Sequence, residues 1–300
     1  MIIVFGSTNV DQIGTVPRLP GPGETVAGGI FSMAAGGKGA NQALAARRAG
    51  AQVRHVSAVG EDSFAITALA LLDEGGVDLS GVRKVPGSTG VAMIFVDADG
   101  ENCIAVLPGA NGMVSAADAD AALAGLEGGI MLVQQEIPQA ATARALELAR
   151  AQGIVSILNT APYLESTRAL APKAAIVVAN ETEFALLSGR NLDELDRAMS
   201  EWAREHNQTV IVTLGGDGAK AATSDAFIHT PAMPITPIDT VGAGDTFCGY
   251  LAAGLDAGLD LQAAMRWATV AASLACLTPG AQPAIPLAAD VDAALEREQT

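Results

Sequence analysis

The sequence predicts an α/β chain built on a mostly parallel central sheet. Three observations carry that expectation. Apolar strand-like runs alternate with helical stretches along most of the chain. Half of the 300 residues are apolar, enough for one large domain. Aromatic residues make up only 4%, so the core must come from aliphatic packing of helices on strands.

The elements follow in order. Residues 2–5, Ile-Ile-Val-Phe, form a short apolar run closed by Gly6, which suits a buried parallel strand. Residues 40–49 read as a helix stopped by Gly50. Further strands are expected at 130–133, 154–158, 175–179 and 209–213, with helices at 138–151, 181–188 and 193–206. An apolar helical stretch also runs from Thr246 to Leu255. Two segments break the rhythm. Residues 12–31 hold Pro17, Pro20, Pro22 and several glycines, while 89–107 alternate apolar and polar around an Asp99-Gly100 turn. Together they predict an antiparallel β flap on the α/β body. No repeat or linker is visible, so residues 1–300 read as one domain carrying that flap.

The formal net charge of −16 repels nucleic acid and anionic membrane, and excludes both as expected partners. A phosphate site in such a chain must rely on local backbone dipoles and a few cations. No signal peptide and no membrane-spanning apolar run is visible. Cys103, Cys248 and Cys276 lack metal-ligand spacing and have apolar neighbours, as expected of buried thiols in a reducing cytoplasm. The scattered His55, His206 and His229 read as structural or solvated.

The strongest local signal is Asp239-Thr-Val-Gly-Ala-Gly-Asp-Thr-Phe-Cys-Gly-Tyr250. Gly242 and Gly244 permit unusual backbone angles, and the helix that follows would leave the amides of residues 242–245 free to bind an anion. Asp245 at that helix start is either an ordinary helix cap or a base for an attacking hydroxyl. The second signal is Gly36-Gly-Lys-Gly-Ala-Asn41. It is not a P-loop, because Gly39 follows Lys38 where Ser or Thr is required. It does set Lys38 and Asn41 at a glycine-rich helix start, as a polyol site would. Asn9 and Asp11, then Glu136, then Asn180 and Glu183 all follow strand-like runs, at the carboxyl ends where α/β sheets bind ligands. No G-x-G-x-x-G follows the first strand, which disfavours a dinucleotide enzyme.

The 36–50 and 239–250 segments together resemble the two signatures of the ribokinase-like (PfkB) carbohydrate kinases, and the resemblance runs nearly end to end. Gly6-Ser-Thr-Asn-Val-Asp11, Gly109-Ala-Asn, Asn180-Glu-Thr-Glu183 and Gly280-Ala-Gln-Pro are similar to its ribose-phosphorylating members. The resemblance implies a three-layer sandwich with a small β-sheet lid over the sugar, and a homodimer joined through that lid. It implies that Asn9, Asp11, Gly37, Lys38, Asn41 and Glu136 surround the sugar, and that Asp245 is the catalytic base beside the anion hole of Gly242, Ala243 and Gly244. Asn180 and Glu183 would lie near the phosphates of ATP and Mg²⁺, and Thr213, Gly215 and Gly218 would line the nucleotide. Asp239, with backbone oxygens of Val241, Ala275, Thr278 and Gly280, would hold an activating K⁺, although Ala284 replaces a frequent serine ligand. Alternatives are a kinase of the same family for another sugar, sugar acid or nucleoside, and a non-catalytic sugar- or nucleotide-sensing protein.

Overall fold

The computed structural model describes residues 1–126 and 128–298. Nine strands form the main sheet. In chain order these are β1 (Ile2–Phe5), β4 (Val53–Gly60), β5 (Asp78–Val85), β8 (Ile130–Val133), β9 (Val155–Asn159), β10 (Ile176–Asn180), β11 (Thr209–Thr213), β12 (Ala219–Ala222) and β13 (Phe227–Thr230). Their spatial order is β13-β12-β11-β10-β9-β8-β1-β4-β5. All pairings are parallel except β11–β12 and β12–β13, which close one edge as antiparallel strands.

Side-chain alternation explains the layers. Along β1, Ile2 and Val4 enter one core while Ile3 and Phe5 enter the other. The first core is covered by α1 (Lys38–Arg48), α8 (Ala243–Asp256), α9 (Leu261–Ala275) and α10 (Ala288–Glu298). The second is covered by α3 (Ala116–Leu123), α4 (Gln139–Ala151), α6 (Glu181–Ser188) and α7 (Leu195–His206). The remaining helices are α2 (Phe64–Glu74) and the short α5 (Thr167–Leu170). Helices on both faces of a parallel sheet are what strands buried on both sides require.

A separate four-stranded sheet has the order β3-β2-β6-β7, from β2 (Asn9–Thr15), β3 (Ile30–Gly36), β6 (Gly90–Val96) and β7 (Asn102–Leu107). It differs from the expected flap in two ways. Its central pair, β2 with β6, is parallel, because β3, α1, β4, α2 and β5 all intervene between them. Its strands also begin nearer the main sheet, so Asn9 and Asp11 belong to β2 instead of a loop after β1, and residues 16–29 only connect β2 to β3. The anion-loop helix α8 starts at Ala243, three residues before the expected Thr246. Cys103 lies exposed on β7, contrary to the expected buried thiols, whereas Cys248 is buried. His55 is fully buried on β4, where burial pushes its pKa down to about 4, and Thr8 Oγ1 lies 2.8 Å from its Nε2.

Candidate active site

Two helix starts meet at the carboxyl ends of the strands. Gly37 precedes α1 with φ 91°, in the region that favours glycine. A Cβ there would lie 2.8 Å from the Asn9 nitrogen, and one on Gly39 would lie 2.5 Å from the Ser7 nitrogen. These glycines therefore let α1 press on the chain's own β1–β2 crossing, where the sequence suggested room for a ligand. Gly242, with φ 77°, caps α8 in the same way, and a Cβ on it would strike Ala281. The Ala243 N–H donates to Thr240 O at 3.3 Å, so that amide of the proposed anion hole already has a weak partner.

Asp245 lies in the first turn of α8 and is only 7% exposed. Its Oδ2 accepts from Asn41 Nδ2 at 2.9 Å and its Oδ1 from Gln42 Nε2 at 2.8 Å. The helices come close enough for this because Gly249 faces α1. A Cβ there would sit 2.5 Å from Ala45 Cβ and 2.7 Å from Gln42 O.

A cavity of about 190 Å³ opens beside Asp245, lined by Lys38, Asn180, Glu183, Thr213, Gly242 and Gly244 among others. The Asp245 carboxylate holds the Lys38 ammonium above the usual lysine range against burial, with Glu136 and Glu183 adding to the effect. Asn180 and Glu183 form a reciprocal cap on α6. The Glu183 N–H donates to Asn180 Oδ1 at 2.8 Å, and the Asn180 N–H donates to Glu183 Oε2 at 3.1 Å. Thr160, a position to which the sequence attached no role, donates its hydroxyl to the same Glu183 oxygen at 2.9 Å. Asn180, Thr213 and Gly244 are shared with a longer cleft of about 540 Å³. Gly215 and Gly218 line it at one side, while Met233, Ile235 and Phe247 give it apolar walls. A polar end joined to an apolar slot suits a polyphosphate carrying an aromatic base.

On the other side, Asn9 and Glu136 line a cleft of about 390 Å³ with Asn111 and Pro108. Glu136 Oε2 accepts from Ser7 Oγ at 2.5 Å and from the Lys38 N–H at 3.0 Å. Asp11 projects beside Gly36, where a Cβ would meet both carboxylate oxygens. Burial, then the negative charges of Glu136 and Asp245, raise the Asp11 pKa to about 6, with Lys38 opposing. Sequence reasoning missed Ser7, Gln42 and Gln134, and left Asn111 without a role. Only Gln42 carried a readable signal, since it follows Asn41 in the same helical turn.

Asp239 bridges the two segments in which the sequence expects a cation site. Asp239 Oδ1 accepts from the Val241 N–H at 3.0 Å and Oδ2 from the Gly280 N–H at 2.8 Å. It thereby joins the two segments that carry Val241, Ala275, Thr278 and Gly280. Ala284 is buried nearby in sequence.

A family model described as pfkB family carbohydrate kinase matches residues 1–288. The deoxyribokinase of Salmonella typhi is 36% identical over 291 residues, 95% of this chain and 95% of its own. The Bacillus subtilis ribokinase is 35% identical over 292 residues, 97% of this chain and 98% of its own. Among solved structures, the Thermotoga maritima ribokinase superposes with a TM-score of 0.89 at 30% identity, over 98% of this chain and 99% of that one. The Arabidopsis thaliana ribokinase complexed with ribose and ATP gives 0.88 at 29%, over 98% of each chain. The family match and these relatives define an ATP-dependent carbohydrate kinase, a phosphotransferase. The chain belongs to the pfkB family of carbohydrate kinases.

Proposed function

We propose that the chain transfers the γ-phosphoryl group of ATP to the 5-hydroxyl of D-ribose, with Asp245 as general base. Asp245 lines the cavity of about 190 Å³ that shares Asn180, Thr213 and Gly244 with the cleft suited to a nucleotide, which supports its role. In this reading the sugar lies against Asn9, Asp11, Lys38 and Glu136 under the small sheet, which acts as a lid. The primary hydroxyl gives its proton to Asp245 as its oxygen attacks in line. Amides at Gly242 and Gly244 face the charge on the transferring group, that of Ala243 joins them on leaving its weak bond to Thr240 O, and Lys38 adds a cation beside it.

The donor set also suits the expected metals. Glu183 spends Oε2 on Asn180 and Thr160, and its Oε1 has no partner among the described residues. No described group of three His, Cys, Asp or Glu side chains could cage a metal. One carboxylate suits Mg²⁺, which keeps much of its water and binds largely through phosphates. Bound there, Mg²⁺ would neutralise phosphate charge. Asp239 and the loop carbonyls would hold K⁺. We place the enzyme in the cytoplasm, where ATP is available, as a homodimer.

The ribose preference rests on Asn9. It is 3% exposed and lines the sugar-side cleft, and its Oδ1 is taken by Asn111 Nδ2 at 2.6 Å. Its amide donors have no partner among the described residues and are left for a sugar hydroxyl. A sugar lacking that hydroxyl strands a buried donor, at a cost of about 1–3 kcal/mol. The test is kcat/KM on ribose, 2-deoxyribose and hexoses. We expect ribose to lead 2-deoxyribose by roughly 5- to 150-fold, from that same cost, and Asn9→Ala to narrow the gap. Equal efficiency on the two pentoses, or a lead for 2-deoxyribose, would remove ribose from the reading and leave the kinase.

A further inference from the structure

The Asp245 carboxylate is an acceptor at both oxygens, and this fixes the direction of every amide around it. Asn41 and Gln42 must both present nitrogen to it, so their own oxygens face away and require donors. Both find one. Gln134 Nε2 donates to Gln42 Oε1 at 2.6 Å, and Gln282 Nε2 donates to Asn41 Oδ1 at 3.1 Å. Gln42 is saturated, because its Nε2 also donates to Asn159 Oδ1 at 3.2 Å. Gln42, Gln134 and Gln282 are all wholly buried.

The outer amides bear a cost for this arrangement. Gln134 Oε1 and Gln282 Oε1 are buried without a partner among the described residues. The backbone makes room for one of them. A Cβ on Gly6 would fall 2.0 Å from Gln134 Oε1. A buried acceptor left open where an apolar side chain would pack without penalty signals a constraint other than stability.

We infer that Gln134 and Gln42 form an orienting relay for Asp245: Gln134 locks the Gln42 amide nitrogen-first, and Gln42 locks the carboxylate in the rotamer that faces the acceptor hydroxyl. Gln282 and Asn41 do the same from the other oxygen. Gln134 comes from the end of β8 and touches neither cleft, so it is a positioning residue. The inference rests on the reading of Asp245 as base.

The test uses Gln134→Met, which keeps length and bulk but cannot donate. Without that donor Gln42 Oε1 is left open, and the amide is held only by its own bonds to Asp245 and Asn159. We expect kcat to fall about tenfold while KM for sugar and for ATP stays within about twofold, because aim is lost and binding surfaces are kept. In an Asp245→Asn background the same change should leave the residual rate unaltered, since there is no carboxylate to orient. Should Gln134→Met fail to fold, Gln42→Met carries the same expectations one bond nearer. Unchanged kcat, or losses that multiply in the double variant, would overturn the relay. Near-normal turnover in Asp245→Asn alone would instead remove the base assignment itself.

Discussion

At the scale of single residues, the site concentrates negative charge on a chain that already carries −16. Asp11 bears the consequence. Its pKa of about 6 comes first from burial, then from Glu136 and Asp245. Between its ordinary value of 3.8 and 6, the folded chain holds this proton more tightly than the unfolded chain. The stability from this carboxyl is therefore present at low pH and lost as pH rises through 6. An ionised Asp11 at neutral pH is a cost that a sugar acceptor role would explain. We predict that sugar KM rises several-fold as pH falls through about 6, with ATP KM little changed, and that Asp11→Asn flattens this dependence. A sugar KM that is level across that range in the parent would separate Asp11 from sugar recognition. Residue types and local spacing marked Asp11, Lys38 and Asp245 in the sequence, and Asn41 as a sugar contact, whereas the Asn41 amide is engaged by Asp245 and Gln282. Gln134 and Gln282 were not, because their roles come from contacts that span 92 and 241 residues.

At the scale of elements, local pattern was most reliable where one face decides it. β8, α6 and β11 fall at the expected 130–133, 181–188 and 209–213. The small sheet was legible only as strand-forming segments. Its parallel β2–β6 pair depends on a long crossover that alternation along one strand cannot report. The start of α8 was read late because Gly242 to Gly244 look like loop, whereas a positive φ is needed only at Gly242. The loop that enters α8 is where a cation should matter. Asp239 ties Val241 to Gly280, and in the proposed mechanism order there sets the aim of the α8 amides. We predict that K⁺ raises turnover more than Na⁺ does, and that Ala284→Ser lowers the half-saturating K⁺ concentration, since a carboxylate and several carbonyls already supply most of the site. The measurement is a K⁺ titration of both proteins at constant ionic strength. Full activity without K⁺ would mean the loop needs no cation. An identical titration in Ala284→Ser would place that residue outside the site.

At the scale of the whole molecule, the small sheet leaves apolar surface uncovered. Ile30 is 74% exposed and Phe31 65%, on the edge strand β3, and Ile104 is 54% exposed on the opposite edge strand β7. Bare edges with such side chains favour association. We predict a homodimer by light scattering at micromolar concentration, converted toward monomer by Phe31→Glu with Ile104→Glu. A stable, active monomer in the parent would contradict it. The proposed activity depends on one event, the passage of a proton from a sugar hydroxyl to Asp245 as phosphate transfers. Its most direct test is sugar-dependent ADP release by the parent and by Asp245→Asn at saturating ATP and ribose, with ribose binding measured alongside by calorimetry. We predict a loss of about a hundredfold or more in turnover, with ribose affinity largely kept. Turnover close to that of the parent would contradict it.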